Sequence, residues 1–595
     1  MSISWISATR FNMNASSVTD YALCMVGPQG AGEEPAFKGR DQRGHGRRRC
    51  VRSALRSRLR SCLRSCLLSY NRSDGTSLGR AKSGGTGEFM KLLSVAMPQH
   101  DVNMTFFDGR EVRYIKLERT RQEKRFHFQS LPDWKSEVQS IWGVDPAEVD
   151  DIVFSFDPAA LPATLRIEQD ALLRLVRDVS KAERLPPAIC RYLGVEKAWF
   201  ASHHYSHALS TWMLEAQAPA VRVVIDGLGD GRPWSVYKNE QLVAAGNIRN
   251  GSIGWGIREA GKLLDVKYGH YNDIAGKVMG LQCYGKIDQG YFDWLDKFNF
   301  GRIKDLWSVE HWYAYKNDPL LGKLGHLDWI ATVHAKMGVM LVDFFKQFAG
   351  GQDHISYSGG VAQNVVWNAL LKRAFPNLVI APHSSDEGLS LGGIEWLRRQ
   401  HGLPALSMPA FPWAQSDTGV PAPSAETIAL AAQLLAQGKI VGWYQGNGEI
   451  GPRALGNRSI LMDPRLAQGK QRINSVKKRE HYRPFGAAVL KDHFAGHFAG
   501  EADAFMLYAC RPKAGELDAI THVDGTCRVQ LVDETNPAFE RLLTQFFALT
   551  GCPVLLNTSL NLAGKPIAAF PEHAVALFHD SQIDAVVVGD TVHRR

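Results

Sequence analysis

Three histidines fall within five residues of the stretch Ser202-His203-His204-Tyr205-Ser206-His207-Ala208, and His203 and His207 are four apart. The run that follows, Ala208 to Glu215, reads as helix. On a helix, residues i and i+4 stand one above the other on the same face. Two imidazoles so placed can grip one metal ion. An isolated pair of this kind can equally cap or line an ordinary helix. The next segment favours the metal. Val221 to Ile225 is a β-branched run that ends in Asp226-Gly227-Leu228-Gly229-Asp230. β-branched residues favour a strand, and α/β proteins place ligands at strand carboxyl ends. A carboxylate there, beside two imidazoles, makes a mixed N/O site. Such a site suits Fe, Zn or Mn better than a thiolate-seeking metal.

Other chemistry-bearing residues sit at turns. His100 lies in the polar turn Pro98-Gln99-His100-Asp101, after what reads as a first core strand. It is either a satisfied loop residue or a group projecting into a cleft. Gly251 to Gly256 is a glycine-rich entry to a helix, and Gly276-Lys277-Val278-Met279-Gly280 sets a lysine among glycines, a pattern open to a phosphate contact. His354 to Val361 reads as a buried strand ending in Gly359-Gly360, and Asn364 opens the helix after it. Asp386 stands in a second strand-to-helix turn, so Asp226 and Asp386 share one kind of position. That repeat suggests a duplicated α/β architecture with a nucleotide between the halves.

The C-terminal part carries cationic turns: Arg453 and Arg458 around Pro452 and Gly456, then Lys477-Lys478-Arg479, Arg483 and Arg528. The last long strand ends in Asn557-Thr558-Ser559. Guanidinium forks on turns bind phosphate or carboxylate oxygens bidentately. The alternative is a solvated basic face, but these cations alternate with Gly, Pro and Phe.

Elements must hold these groups, and length comes first. At 595 residues the chain has room for two or three domains. No apolar run is long enough to cross a membrane as a helix. Nine cysteines without a CxxC pair fit a reducing, cytoplasmic setting. The formal charge of +9 is misleading. Residues 1–89 hold fifteen Lys/Arg against six Asp/Glu, which accounts for all of it, and the rest carries 54 of each sign. The main body therefore has no basic excess for a phosphate backbone. Residues 1–89 are an Arg/Ser/Leu-rich extension expected to be disordered, with Met90 as the functional start. The expected order is then 1–89 extension, 90–405 larger domain, 406–424 linker with its prolines, and 425–595 smaller domain. Asp108-Gly109 between apolar runs marks a hairpin.

The strings HHYSHA, VVIDGLGD, GKVMGL, SGGVAQN, SDEGLSLG, GNGEIGPRALGNRS, YRPF and LLNTSLN stand in one order. From Met90 to Asp590 the chain thereby resembles the O-carbamoyltransferases, the family of nodulation-factor, cephamycin and tobramycin carbamoyltransferases. The resemblance implies an α/β fold with two parts. One is an actin-like ATPase domain similar to the tRNA threonylcarbamoyl-transfer protein, and the other is a smaller YrdC-like domain. It implies that carbamoyl phosphate and ATP, with Mg accompanying ATP, give carbamoyl adenylate in the smaller domain. The larger domain then passes the carbamoyl group to an alcohol.

Carried over by residue, the resemblance gives His203, His207, Asp226 and Asp386 as ligands of Fe(II), with Mn or Zn as substitutes. Asp226, Gly227, Gly229, Asp230, Gly254, Gly276, Lys277, Gly360 and Asn364 would hold the adenylate, with Lys124 a further basic residue of that site. His100 would be the general base. Arg453, Lys477, Arg483, Arg528, Asn557, Thr558 and Ser559 would form the carbamoyl phosphate and ATP pocket. One departure is Lys116-Leu117-Glu118-Arg119, where the family tends to show an acidic cluster. The stretch from Phe292 to Leu324, with Trp307, Trp312, Tyr313 and Tyr315, should lie near the acceptor and matches no motif. Its aromatics either stack on a ring or pack in a core.

The expected partner is a small-molecule or glycan acceptor, with no nucleic acid for the main body and no membrane, although the basic extension could itself be an RNA-binding or membrane-touching arm. The oligomeric state is open, a homodimer being one option. Two other readings compete: a threonylcarbamoyl-type RNA-modifying or RNA-binding protein, and an actin-like metabolite kinase.

Overall fold

Leu92–Met97 (β1) is the first core strand, and all six of its side chains are buried. Its sequence, LLSVAM, is nearly continuous in apolar residues, as a strand covered on both faces requires. The structure, a computed structural model, describes residues 89–178, 182–247, 251–263, 266–297, 324–513 and 516–595. The basic extension and the stretch with Trp307, Trp312, Tyr313 and Tyr315 lie outside the described residues.

The expected hairpin forms from Asn103–Phe107 (β2) and Val112–Lys116 (β3). Gly109 sits in its turn at φ +90°, and Asp108 accepts the amides of Arg110 and Glu111 at 2.9 Å each. These strands belong to an eight-stranded sheet with Asp151–Phe156 (β4), Ala182–Arg184 (β5) and Trp199–Ala201 (β6). A second sheet has five strands: Val221–Gly229 (β7), Arg232–Lys238 (β8), Gln241–Ala245 (β9), Ile355–Ser358 (β10) and Leu378–Ile380 (β11). Its order is β11-β10-β7-β8-β9, with β10 parallel to both neighbours.

The helix Leu389–Gln400 packs on the first sheet and on the histidine helix, which in turn packs on β7 of the second sheet. A Cβ on Gly392 would stand 1.8 Å from the Ser206 carbonyl oxygen, and one on Gly393 would stand 2.2 Å from Ser94 Oγ. Two glycines thus let this helix lie against both β1 and the histidine helix, His203–Leu209.

The segment expected as a linker carries Gln415–Val420 (β12), which pairs in parallel with β3 and so extends the first sheet. After Val441–Tyr444 (β13), the short strand Gly446–Gly448 (β14) pairs with β12 at the edge of that sheet. The proline-rich composition hid a strand that pairs on one side with β3, about 300 residues upstream, and on the other with β14, just downstream. A nine-stranded sheet builds the C-terminal lobe from β13, Arg458–Met462 (β15), Gly486–Leu490 (β16), Phe498–Gly500 (β17), Ala509–Pro512 (β18), Cys527–Val532 (β19), Val554–Ser559 (β20), Ala585–Val588 (β21) and Thr591–Arg594 (β22). Its centre runs β19-β16-β20-β15-β13, and one apolar core with Phe539, Leu542 and Phe546 covers it. Among the described residues no helix is long and apolar enough to cross a membrane.

Candidate metal centre and anion pocket

Ser202 caps the histidine helix by accepting the Tyr205 amide, and this starts the helix so that His203 and His207 share a face. Their Nε2 atoms stand 3.1 Å apart. Asp226, at the end of the apolar part of β7, brings Oδ2 to 3.1 Å from His203 Nε2 and 3.9 Å from His207 Nε2. Asp386, in the turn before the helix Leu389–Gln400, brings Oδ1 to 3.5 Å and 3.4 Å from the same two nitrogens. All four donor atoms lie within 4.8 Å of one another. Donors about 2.0–2.2 Å from one ion stand about 3.0–3.6 Å apart, so four of these five separations fit and the fifth is slightly long. Two nitrogens and two oxygens without sulfur suit a borderline divalent cation.

The charges agree with that geometry. Burial opposes ionisation of Asp226, but its hydrogen bond with His203 prevails and holds its pKa down at about 2. Asp386 is also held well below the usual carboxylate range against burial, chiefly by His203. Burial opposes charge on His203, yet the two carboxylates raise it well above its ordinary value. The pocket favours positive charge at its centre.

The surrounding backbone is closely fitted. Asp226 Oδ1 accepts the amides of Gly227 at 2.8 Å and Gly360 at 3.1 Å. A side chain at Gly229 would strike His203, and a Cβ at Gly254 would lie 2.9 Å from Gly227 Cα. Asp230, at φ +54°, accepts the His203 amide at 2.6 Å. Gly276 has open space where a Cβ would be. Two residues expected at a nucleotide are otherwise engaged. Asn364 caps its helix through the amides of Val366 and Trp367, and its Nδ2 lies 3.0 Å from His334 Nε2. Lys277 pairs with Glu480 of the C-terminal lobe.

His100 stands beside this centre. Its Nδ1 lies 2.8 Å from Asp101 Oδ2, and its Nε2 lies 3.9 Å from Asp386 Oδ2. Burial alone would lower the imidazole, but the bond to Asp101 and the charges of Asp386, Asp101 and Asp226 push it up to about 9.

A second concentration of charge lies in the C-terminal lobe. Arg528 on β19, Gly486 on β16 and Asn557 on β20 form one row across the sheet. The missing side chain of Gly486 makes room for Arg528, whose Nε would lie 3.3 Å from a Cβ there. Arg453 Nε, Arg528 Nε and Asn557 Oδ1 are all buried without a hydrogen-bond partner. Burial, then the charges of Arg453, Arg479 and Arg483, depresses Arg528 well below its ordinary value. Burial and Arg483 push Arg453 down to about 10.

Lys477, also buried, donates to the Ser559 carbonyl at 2.5 Å, to Ser559 Oγ at 3.0 Å and to Asn561 Oδ1 at 2.6 Å. Burial, Arg479, Arg483 and Lys124 depress it well below a usual lysine. Lys124 is exposed and acts on this cluster. Thr558 alternates with Asn557 and Ser559 along β20, so its side chain faces the other side of the sheet. Arg479 completes the cluster. The Lys477-Lys478-Arg479 run pointed to it, but local pattern gave no reason to prefer it.

Two family models match the chain: "Carbamoyltransferase N-terminus" over residues 91–394 and "Carbamoyltransferase C-terminus" over 432–595. The chain belongs to the carbamoyltransferase family. Nodulation protein U of Azorhizobium caulinodans is 32% identical over 546 residues, covering 80% of this carbamoyltransferase and 94% of that protein. Nodulation protein NolNO of Sinorhizobium fredii is 32% identical over 436 residues, which span 66% of this chain and 63% of NolNO. The 3′-hydroxymethylcephem-O-carbamoyltransferase of Amycolatopsis lactamdurans is 36% identical over 250 residues, 40% of this chain and 48% of its own. Among solved structures, component A of the (R)-2-hydroxyglutaryl-CoA dehydratase of Acidaminococcus fermentans is 12% identical. It covers 53% of this chain and 99% of its own, with a TM-score of 0.34.

Proposed function

We propose that this carbamoyltransferase is ATP-dependent and acts on a hydroxyl. The C-terminal lobe, residues 425–595, would be the YrdC-like part and make carbamoyl adenylate from carbamoyl phosphate and ATP. Water would release phosphate from carbamoyl phosphate, and the carbamate oxygen would then attack the α-phosphorus of ATP and expel pyrophosphate. The larger part, residues 90–405, would be the actin-like part and transfer the carbamoyl group to a small-molecule or glycan alcohol. The observation that carries this reading is the set of buried, unpartnered polar atoms on Arg453, Arg528 and Asn557. Leaving such atoms unpaired is costly, and phosphate oxygens would satisfy the two guanidinium donors.

In the transfer step the acceptor oxygen bonds to the carbamoyl carbon. The bond from that carbon to the adenylate oxygen breaks, and AMP leaves with its electrons. His100 Nε2 takes the hydroxyl proton while Asp101 holds Nδ1. His203, His207, Asp226 and Asp386 would hold Fe(II), or Mn or Zn in its place, which supplies a Lewis acid for the nucleotide phosphate. A cation held there would also weaken the pull of Asp226 and Asp386, two of the charges that keep His100 protonated. Lys124 lies on the side of the anion pocket. Lys277 would reach a nucleotide only by leaving Glu480. We place the protein in the cytoplasm, where its nucleotide and carbamoyl phosphate would be supplied.

The test is mass spectrometry of the full chain with Fe(II), Mg, ATP and carbamoyl phosphate, without acceptor. Carbamoyl adenylate is the expected product. Its absence from folded, metal-loaded protein would overturn the reading. An acceptor panel that includes 3′-hydroxymethylcephem then tests the transfer.

A further inference from the structure

Lys116 ends the β2–β3 hairpin with its side chain buried. Its ammonium lies 2.8 Å from Asp101 Oδ1, 3.1 Å from Glu387 Oε2 and 3.7 Å from Glu118 Oε1. Three carboxylates around one buried cation form a costly arrangement unless every member is satisfied. Lys116, Glu118 and Glu387 take no part in the chemistry described above, and Asp101 enters it only by holding His100. Their neighbours do. Asp101 uses its other oxygen to hold His100, and Glu387 directly follows Asp386. Lys116 therefore touches the partner of the base on one side and the residue beside a metal ligand on the other.

The backbones of the same two turns are also joined. Asn103, fully buried, donates through Nδ2 to the carbonyls of Asp101 at 2.7 Å and Asp386 at 2.9 Å. Its Oδ1 accepts the Ser390 amide at 3.0 Å. Asn103 ties the two main chains, and Lys116 ties the two side chains that leave them. Asp101 holds φ +63°, a conformation that a non-glycine residue keeps only when its surroundings impose it. The grips on its carbonyl and both carboxylate oxygens supply that constraint.

We propose that Lys116 is a positioning residue that sets His100 relative to Asp386, by gripping Asp101 and Glu387 together. The proposal rests on the reading of His100 as base and Asp386 as metal ligand. Without the ammonium, Asp101, Glu118 and Glu387 face one another as like charges. The turn that carries Asp386 then shifts, and the metal centre with it.

The probe is Co(II), titrated into the metal-free full chain and followed by its visible d–d absorption, which reports ligand geometry. Wild type is expected to bind one ion. Lys116→Met is expected to bind at least about tenfold more weakly with an altered band, and Lys116→Arg to recover most of the loss. Asp101→Asn is expected to weaken binding in wild type but to add less than about twofold in the Lys116→Met background, because the link has already been cut. If Lys116→Met does not fold, Glu387→Gln takes its place in the same cycle. Unchanged affinity and band in the folded variant, or an equal Asp101→Asn loss in both backgrounds, overturns the proposal. Failure of wild type to bind Co(II) instead overturns the metal reading beneath it.

Discussion

Arg119 and Glu449 are 330 residues apart, yet the Arg119 guanidinium donates to the Glu449 carbonyl at 2.5 Å and to that of Gly451 as well. Arg119 is almost fully buried, directly after the hairpin of the first sheet. The loop it clamps leads into Arg453. One side chain thus ties the strand system that carries His100 to the loop that carries a pocket arginine.

Truncating Arg119 to Ala leaves two buried carbonyls without donors. The expected cost is about 2–5 kcal/mol. Differential scanning calorimetry should show a lower midpoint and a transition that broadens or splits as the lobes lose their coupling. A midpoint within about 1 °C of wild type would show that water or neighbouring groups replace the guanidinium.

How much of this was readable in the sequence depended on whether the cause was local. The spacing of His203 and His207, the cap at Ser202 and the strand into Asp226 are local patterns, and the structure brings them to one point. Gly392 and Gly393 could be seen as glycines, but not that Ser206 and Ser94 press on them. Strand β12 was hidden because its pairing partner lies in β3 and its own composition reads as loop. The partners of Lys116 and Lys277 were hidden for the same reason. An ammonium that meets one or two distant carboxylates leaves no periodic trace, so Lys116 read only as a departure from a pattern.

Replacing His203 by Ala removes a donor that contacts all three of the others. Metal affinity is expected to fall more than about 100-fold. Acceptor carbamoylation should be lost, while carbamoyl adenylate still forms in the C-terminal lobe. Elemental analysis of the purified variant and product detection without acceptor check the two halves separately. Loss of adenylate formation too would show that the lobes do not divide the chemistry in this way.

Arg453→Ala reverses that pattern. The guanidinium sits with Arg483 and Arg528, where phosphoryl charge would be neutralised. Adenylate formation is expected to drop about 100-fold or more, with metal content unchanged. Because Arg453 already lies in a field of like charge, its removal is not expected to lower the thermal midpoint of the free protein. A drop in midpoint with little loss of rate would assign Arg453 a structural role.

Lys477 gives the pH dependence. In the free protein, burial and the charges of Arg479, Arg483 and Lys124 hold its ammonium well below the ordinary lysine value. A bound phosphate group adds negative charge beside it and raises that value again. Binding therefore takes up protons between the free and bound values, and affinity falls as pH rises through that window. Calorimetric titration of carbamoyl phosphate alone, in Mops and in Tris, measures the uptake from the difference in heats. Uptake of up to about one proton per chain is expected. Lys477→Arg, which holds its proton more strongly than lysine in the same surroundings, should bind with that uptake reduced or removed. Equal heats in both buffers for wild type would mean that Lys477 keeps its proton throughout, and that the cationic cluster is not what the anion relieves.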